Sequence, residues 1–148
     1  MKRARFKIVA LTIACALAAS STSIAAAQDA VKVIVNPDVD IASLSQAELA
    51  RIYLGKKTLW DSGSRITPSL LHEKSPLTEA FLKESVKKTV RQYRAYWKRH
   101  LFSGKGTAPK TFASSGQVAN YVADNPGAIG VVDASFEDAR VKVVELSP

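Results

Sequence analysis

One cysteine, Cys15, and two histidines, His72 and His100, in a chain of 148 residues exclude much of the chemistry that a small protein can carry. A lone cysteine close to the N-terminus allows neither an internal disulfide nor a thiolate metal site. The histidines stand 28 positions apart, outside any H-E-x-x-H pattern, so no metal helix is expected. Ser103-Gly104 and Ser115-Gly116 are not in a nucleophile elbow, and no glycine-rich run has the spacing of a P-loop. Asp133, Glu137 and Asp138 fall in a turn-like stretch where acids are ordinarily solvated. No nucleophile and base can be paired, so the chain is read as a non-enzyme with no cofactor and no metal. Only seven glycines and six prolines leave no room for a long flexible linker, and no apolar run long enough to cross a bilayer follows residue 27.

The N-terminus has the three-part design of a secretory leader. Lys2, Arg3, Arg5 and Lys7 form a positive region, Ile8 to Ala19 an apolar stretch, and Ala25-Ala26-Ala27 the small residues before a cleavage site. The expected division is a signal peptide over 1–27 and one domain over 28–148, with a cut a few residues earlier fitting nearly as well. Arg3 and Arg5 are not adjacent, as a twin-arginine route requires, and Thr12, Ile13 and Ala14 make a poor lipidation box for Cys15. Removing the leader removes the only cysteine and four of the 21 Lys and Arg, which leaves 17 against 13 Asp and Glu, near +4. A domain of about 120 residues buries roughly two-thirds of its unfolded surface, enough for a core without covalent staples.

Strand and helix patterns alternate through that domain. Val31 to Val35 reads as a strand stopped at Asn36-Pro37. Ser45 and Glu48 form a capping box, with Leu44 and Leu49 as the hydrophobic staple, and Leu49, Ile52 and Tyr53 share one face before Gly55. Ile66 to Leu71 reads as a second strand. Ser75-Pro76 starts a helix that should run to about Val86, and Thr89 with Gln92 opens another that reaches about Phe102. On the latter, Tyr93, Trp97 and Leu101 recur every four residues as the expected buried stripe. Lys105 to Pro109 is a loop. Ser114 and Gln117 open a fourth helix ended by Asn125-Pro126-Gly127, and Ile129 to Val132 and Val141 to Val144 are late strands. The expected fold is α/β, a single mixed sheet flanked by helices.

Several of these runs resemble the solute-binding proteins of phosphate ABC transporters. Leu44-Ser45-Gln46-Ala47-Glu48-Leu49 precedes Ile52-Tyr53-Leu54-Gly55-Lys56-Lys57 and Trp60, as a capped helix precedes a Phe-x-Gly-Lys turn and a tryptophan in that family. Ser75 through Phe81 lies where the family has its Ser-Gly-Thr helix start. Tyr96-Trp97 is similar to its aromatic pair, and Asn125-Pro126-Gly127-Ala128-Ile129-Gly130 to its closing Pro-Gly-x-Ile-Gly strand. The resemblance spans most of Val31 to Val144 and implies one lobe of a type II periplasmic binding protein. Family members are roughly twice as long and close two lobes over the anion. Leu71 stands where the family has an arginine, Pro76 where it has a glycine, and the first lobe's Gly-Ser-Gly loop has no counterpart.

The residues allow a site of that kind. A helix start offers free N–H groups and a favourable dipole to an oxyanion. Ser75, the Leu77 and Thr78 amides and the Thr78 hydroxyl form such a cluster, with Lys74 and His72 adding charge. The same residues also suit a plain helix cap. Residues 83–110 hold nine Lys or Arg and one acid, Glu84, and Lys87, Arg91, Arg94 and Lys98 line one helix face. That face is either solvated or meets an anionic lipid, an acidic protein or, least of all for an exported chain, nucleic acid. Lys56-Lys57 and Trp60 read as a basic turn with an aromatic anchor. Two functions remain open: an exported phosphate-type substrate-binding domain linked to an ABC transporter permease, and a periplasmic protein-interaction or regulatory module that has lost its small ligand.

Overall fold

The computed structural model describes residues 30–148; the expected leader over 1–27 lies outside the described residues. The strands are β1 (Val31–Val35), β2 (Ser43–Ser45), β3 (Thr67–Leu71), β4 (Lys110–Phe112), β5 (Ala128–Asp133) and β6 (Lys142–Ser147). The helices are α1 (Gln46–Tyr53), α2 (Pro76–Phe81), α3 (Val90–Phe102) and α4 (Ser115–Asp124). The strands form one mixed sheet of six in the order β2-β6-β1-β5-β3-β4. β1 runs antiparallel to β5 and β6, while β3 lies parallel to both β4 and β5, and β2 parallel to β6. The expected α/β fold, a single mixed sheet flanked by helices, is the fold found.

Both faces of the sheet are covered, as the uninterrupted apolar strands require. Along β1, Val33 and Val35 belong to one core cluster and Ile34 to the other. The larger cluster joins them to Leu49, Ile52 and Tyr53 of α1, Phe81 of α2, and Tyr93 and Trp97 of α3. The smaller one packs Ile34, Leu71, Ala128 and Val132 against Val118, Ala119 and Val122 of α4. Gly130 permits that second contact. A Cβ there would stand 2.5 Å from Val118 Cγ1 and 3.0 Å from Val122 Cγ2.

Local signals set the helix ends. The Ser45 hydroxyl accepts the Glu48 amide and the Glu48 side chain returns the contact, and Leu44 and Leu49 are both buried beside it. Thr89 and Gln92 repeat the box at α3, and Ser114 caps α4. Asn36 ends β1 and also closes α4: its Nδ2 donates to the Val122 and Ala123 carbonyls at 2.9 and 3.0 Å. The helix expected from Pro76 to Val86 changes character at Leu82, where a π-helical turn takes over until Lys87 adopts a left-handed φ of 57°. Three tyrosine hydroxyls tie the larger face together, Tyr53 to the Ser69 carbonyl, Tyr93 to that of Tyr53 and Tyr96 to that of Leu54. Trp60 is the anchor expected, buried with its indole N–H donating to the Gly127 carbonyl at 2.9 Å.

One member of the stripe expected to be buried on α3 is not. Tyr93 and Trp97 are buried, but Leu101 is 52% exposed. The last turn of α3 and the loop after it, residues 101–108, stand in solvent, so the four-residue period outlasts the surface it packs on. The edge strands β2 and β4, three residues each, were not expected and are too short to carry a period of their own.

Candidate functional site

Because β3, β4 and β5 are parallel, their C-terminal ends emerge together, the usual place for ligands in α/β folds. The turns into α2 and α4 meet there. The His72 amide donates to the Phe112 carbonyl at 2.8 Å, and the Asp133 amide to the Ser115 hydroxyl at 3.1 Å. The structure therefore brings His72, Lys74, Ser75, Leu77 and Thr78 to one corner, beside the start of α4.

Their individual settings differ. Ser75 has the extended backbone of a helix cap, yet its hydroxyl makes no capping bond to α2. Its amide donates to the His72 carbonyl at 2.8 Å. The α2 amides at Leu77 and Thr78 thus have no side-chain cap, and Pro76 supplies no N–H. His72 Nδ1 accepts the Lys74 amide at 3.3 Å, and both side chains are exposed. The Leu77 side chain packs against the α4 cluster, so this residue offers its backbone only. Thr78 is buried and its hydroxyl donates to the Leu71 carbonyl at 2.8 Å, which leaves that oxygen as an acceptor. Two carboxylates stand near. Glu79 lies exposed in the first turn of α2, whereas Glu73 is held by Arg94, with Nε to Oε2 at 2.9 Å. Leu71, where the resemblance implies an arginine, is buried in the α4 cluster.

The basic face of α3 is exposed at Arg91, Arg94 and Lys98, with Lys87 just before it. Alongside runs a mostly apolar groove of about 370 Å³, lined by Leu70, Tyr93, Trp97, Leu101 and Pro109, with Arg94 and Lys98 also on it. Asp133 and Asp138 have the roles of turn residues: Asp133 Oδ1 accepts the Ser135 amide at 2.8 Å, and Asp138 pairs with Arg140 at 2.6 Å. Both carboxyl pKa values lie below their ordinary ones, that of Asp133 because the Ser135 hydroxyl and then the Ser135 amide donate to it, that of Asp138 because the Arg140 side chain and amide do.

A second concavity, about 390 Å³, opens at the beginnings of β3 and β4. Lys57, Arg65, Lys105 and Lys110 line it with Thr67, and none of its lining residues is acidic. Lys57 donates to Glu48 Oε1 at 3.1 Å and Asp61 Oδ1 at 3.4 Å, and the Glu48 bond raises its pKa while lowering that of Glu48. Sequence reasoning missed this cleft. Its cations come from segments far apart in the chain, and no local spacing announces them.

A family model described as a PBP superfamily domain matches residues 16–146. No curated protein matches the chain. Among solved structures, similar folds include an ABC-type phosphate transport receptor from Vibrio cholerae, with 16% identity, a TM-score of 0.54, and 79% of this chain against 46% of that one. PstS from Borrelia burgdorferi gives 15% identity and a TM-score of 0.60 over 80% and 47%. A phosphate binding protein from Stenotrophomonas maltophilia gives 18% and 0.52 over 79% and 39%. The chain thus spans less than half the length of each. Among the described residues no helix is long and apolar enough to cross a membrane.

Proposed function

The chain belongs to the PBP superfamily, and from that premise we propose that it is an exported, phosphate-type oxyanion-binding domain, working in the periplasm with an ABC transporter permease or a sensing partner. The observation that carries this reading is the uncapped start of α2 at the C-terminal end of β3, in a fold shared with one lobe of phosphate receptors.

The chemistry follows from the corner's free donors. The Leu77 and Thr78 amides and the Ser75 hydroxyl donate to the anion, the helix dipole favours its charge, and Lys74 and His72 add positive potential from the turn. Glu73 is neutralised by Arg94, so it opposes the anion little. Affinity of this corner is low, because two backbone amides and one hydroxyl supply the donors and no arginine fork is among them. A dissociation constant of about 0.1–1 mM is expected. Binding rather than catalysis is the role. Both histidine rings are engaged locally, His72 Nδ1 accepting the Lys74 amide and His100 Nδ1 facing the Tyr96 carbonyl, while the Ser103 hydroxyl donates to the His100 backbone carbonyl at 3.1 Å.

Ser75→Ala tests the site. Ser75 caps nothing, so the substitution should leave the melting temperature within about 1 °C while abolishing phosphate binding in a calorimetric titration. Unchanged binding would remove the corner from consideration. A second reading, a protein-interaction module without a small ligand, draws on the apolar groove beside α3 and on Phe102, 84% exposed at its end.

A further inference from the structure

The cleft at the beginnings of β3 and β4 is built rather than incidental, because the side chains of Lys57 and Lys110 and the backbone of Arg65 are held by specific contacts. Arg65 sits on a pinned backbone. It bridges to Leu59, and its carbonyl lies where only a glycine, Gly127, lets the chain pass: a Cβ on Gly127, whose φ is +79°, would stand 2.2 Å from that oxygen. The flanking Ile66 amide donates to the Thr58 carbonyl at 2.9 Å. Lys57 is oriented by Glu48, itself fixed in the capping box of α1. The Lys110 ammonium lies over the Tyr121 ring, 5.0 Å from its centroid.

Two further observations point to a ligand. Among the described residues, Arg65, Lys105 and Lys110 form no ion pair, so three positive charges converge on a concavity with no acid in its wall. The Thr67 hydroxyl, on the same wall, is buried without a hydrogen-bond partner, an arrangement native structures seldom leave unexplained.

We propose that this cleft binds a small anion carrying more than one phosphoryl charge, of the pyrophosphate or phosphoester class, at a site separate from the α2 corner. Three unpaired cations exceed the roughly one to two negative charges that orthophosphate carries near neutral pH and match the roughly three of pyrophosphate. The volume of about 390 Å³ falls within the range of about 300–1,000 Å³ of small-ligand sites and exceeds what one phosphate fills. The arginine fork suits paired phosphoryl oxygens, the Thr67 hydroxyl has a bond to give, and Ile52, Pro68 and Trp97 offer an apolar wall to an organic substituent.

The test is calorimetric titration of the purified protein with pyrophosphate, and separately with orthophosphate, at two salt concentrations. Pyrophosphate should bind at least tenfold more tightly than orthophosphate, and raising the salt should weaken it. Arg65→Gln with Lys110→Gln should lower pyrophosphate affinity at least tenfold. Thr67→Val should lower it three- to tenfold without lowering the melting temperature, since the hydroxyl it removes bonds nothing in the fold. Ser75→Ala should leave it unchanged, which separates this site from the α2 corner: loss in Ser75→Ala alone would overturn the cleft and keep the corner. Vesicles of phosphatidylglycerol form the third arm. Binding to vesicles that pyrophosphate does not displace, or pyrophosphate affinity indifferent to both the charge and the Thr67 variants, would overturn the proposal.

Discussion

Replacing Gly130 by alanine would push a methyl group into the seam between β5 and α4. The added Cβ would stand 2.5 Å from Val118 Cγ1, 2.9 Å from Ser69 Oγ and 3.0 Å from Val122 Cγ2. None of the three can move away freely. Val118 and Val122 are fully buried, and the Ser69 hydroxyl is committed to the Ile129 carbonyl at 3.0 Å. Either α4 lifts from the sheet or the valines leave their rotamers, and overpacking of that kind costs about 1–3 kcal/mol. With three contacts affected at once, the upper half of that range, about 2–3 kcal/mol, is expected. A cycle with Val118→Ala isolates the contact. Alone, that change removes two methyl-sized groups at roughly 0.8 kcal/mol each and leaves a cavity, about 2 kcal/mol in all. In the Gly130→Ala background the new methyl occupies part of that space, so the double variant should be at least about 1 kcal/mol more stable than additivity allows. Urea denaturation of the four proteins measures both quantities, with the m-value checked for constancy. A neutral Gly130→Ala, or strict additivity with Val118→Ala, would show that α4 does not rest on Gly130 as described.

Trp97→Ala should destabilise the protein by about 3–5 kcal/mol in the same assay, because the ring is buried in the larger core cluster and lies against Gly55; a loss under about 1 kcal/mol would contradict that packing. Leu71→Arg, which would restore the family's charge, should instead cost more than about 2 kcal/mol and create no anion binding, since this side chain is buried against α4; tighter phosphate binding in a stable variant would show that position 71 faces the corner after all. Glu48 has a folded-state pKa below its ordinary 4.5, so its bonds to Lys57 and Ser45 stabilise the fold fully above that value and are lost as the pH falls beneath it. The melting-temperature gap between wild type and Glu48→Gln should therefore close on acidification below about pH 4.5, from a contribution under about 1 kcal/mol for so exposed a pair; a gap that widens with acid would reverse the assignment.

The elements that sequence reasoning placed well are those whose signal is local. The boxes at Ser45/Glu48 and Thr89/Gln92 lie within four residues of the helices they start, and both form as expected. The strands at Val31, Ile66 and Ile129 are apolar enough to be read without knowing their partners. What the sequence concealed depends on contacts across the chain. β4 exists because β3 offers it an edge, and its three residues carry no pattern. Leu101 follows the helical period and is still exposed, because period reports a face and not whether anything covers it. At the corner, Ser75 was legible as a cap position, but its unmade capping bond and the Thr78 bond to the Leu71 carbonyl depend on how α2 meets the end of β3. The cationic cleft was least legible, since Lys57 and Arg65 come from the turn that Gly127 and Trp60 pin and Lys105 and Lys110 from the segment between α3 and β4, far off in sequence.

The central claim, that the start of α2 holds an oxyanion, is tested most directly by following the backbone amide resonances of the isotopically labelled protein during titration with orthophosphate. The account predicts that the Leu77 and Thr78 amides shift with a shared dissociation constant of about 0.1–1 mM, and that these shifts disappear in Ser75→Ala. Amides of Leu77 and Thr78 that stay in place up to about 20 mM phosphate, whatever moves elsewhere, would contradict it.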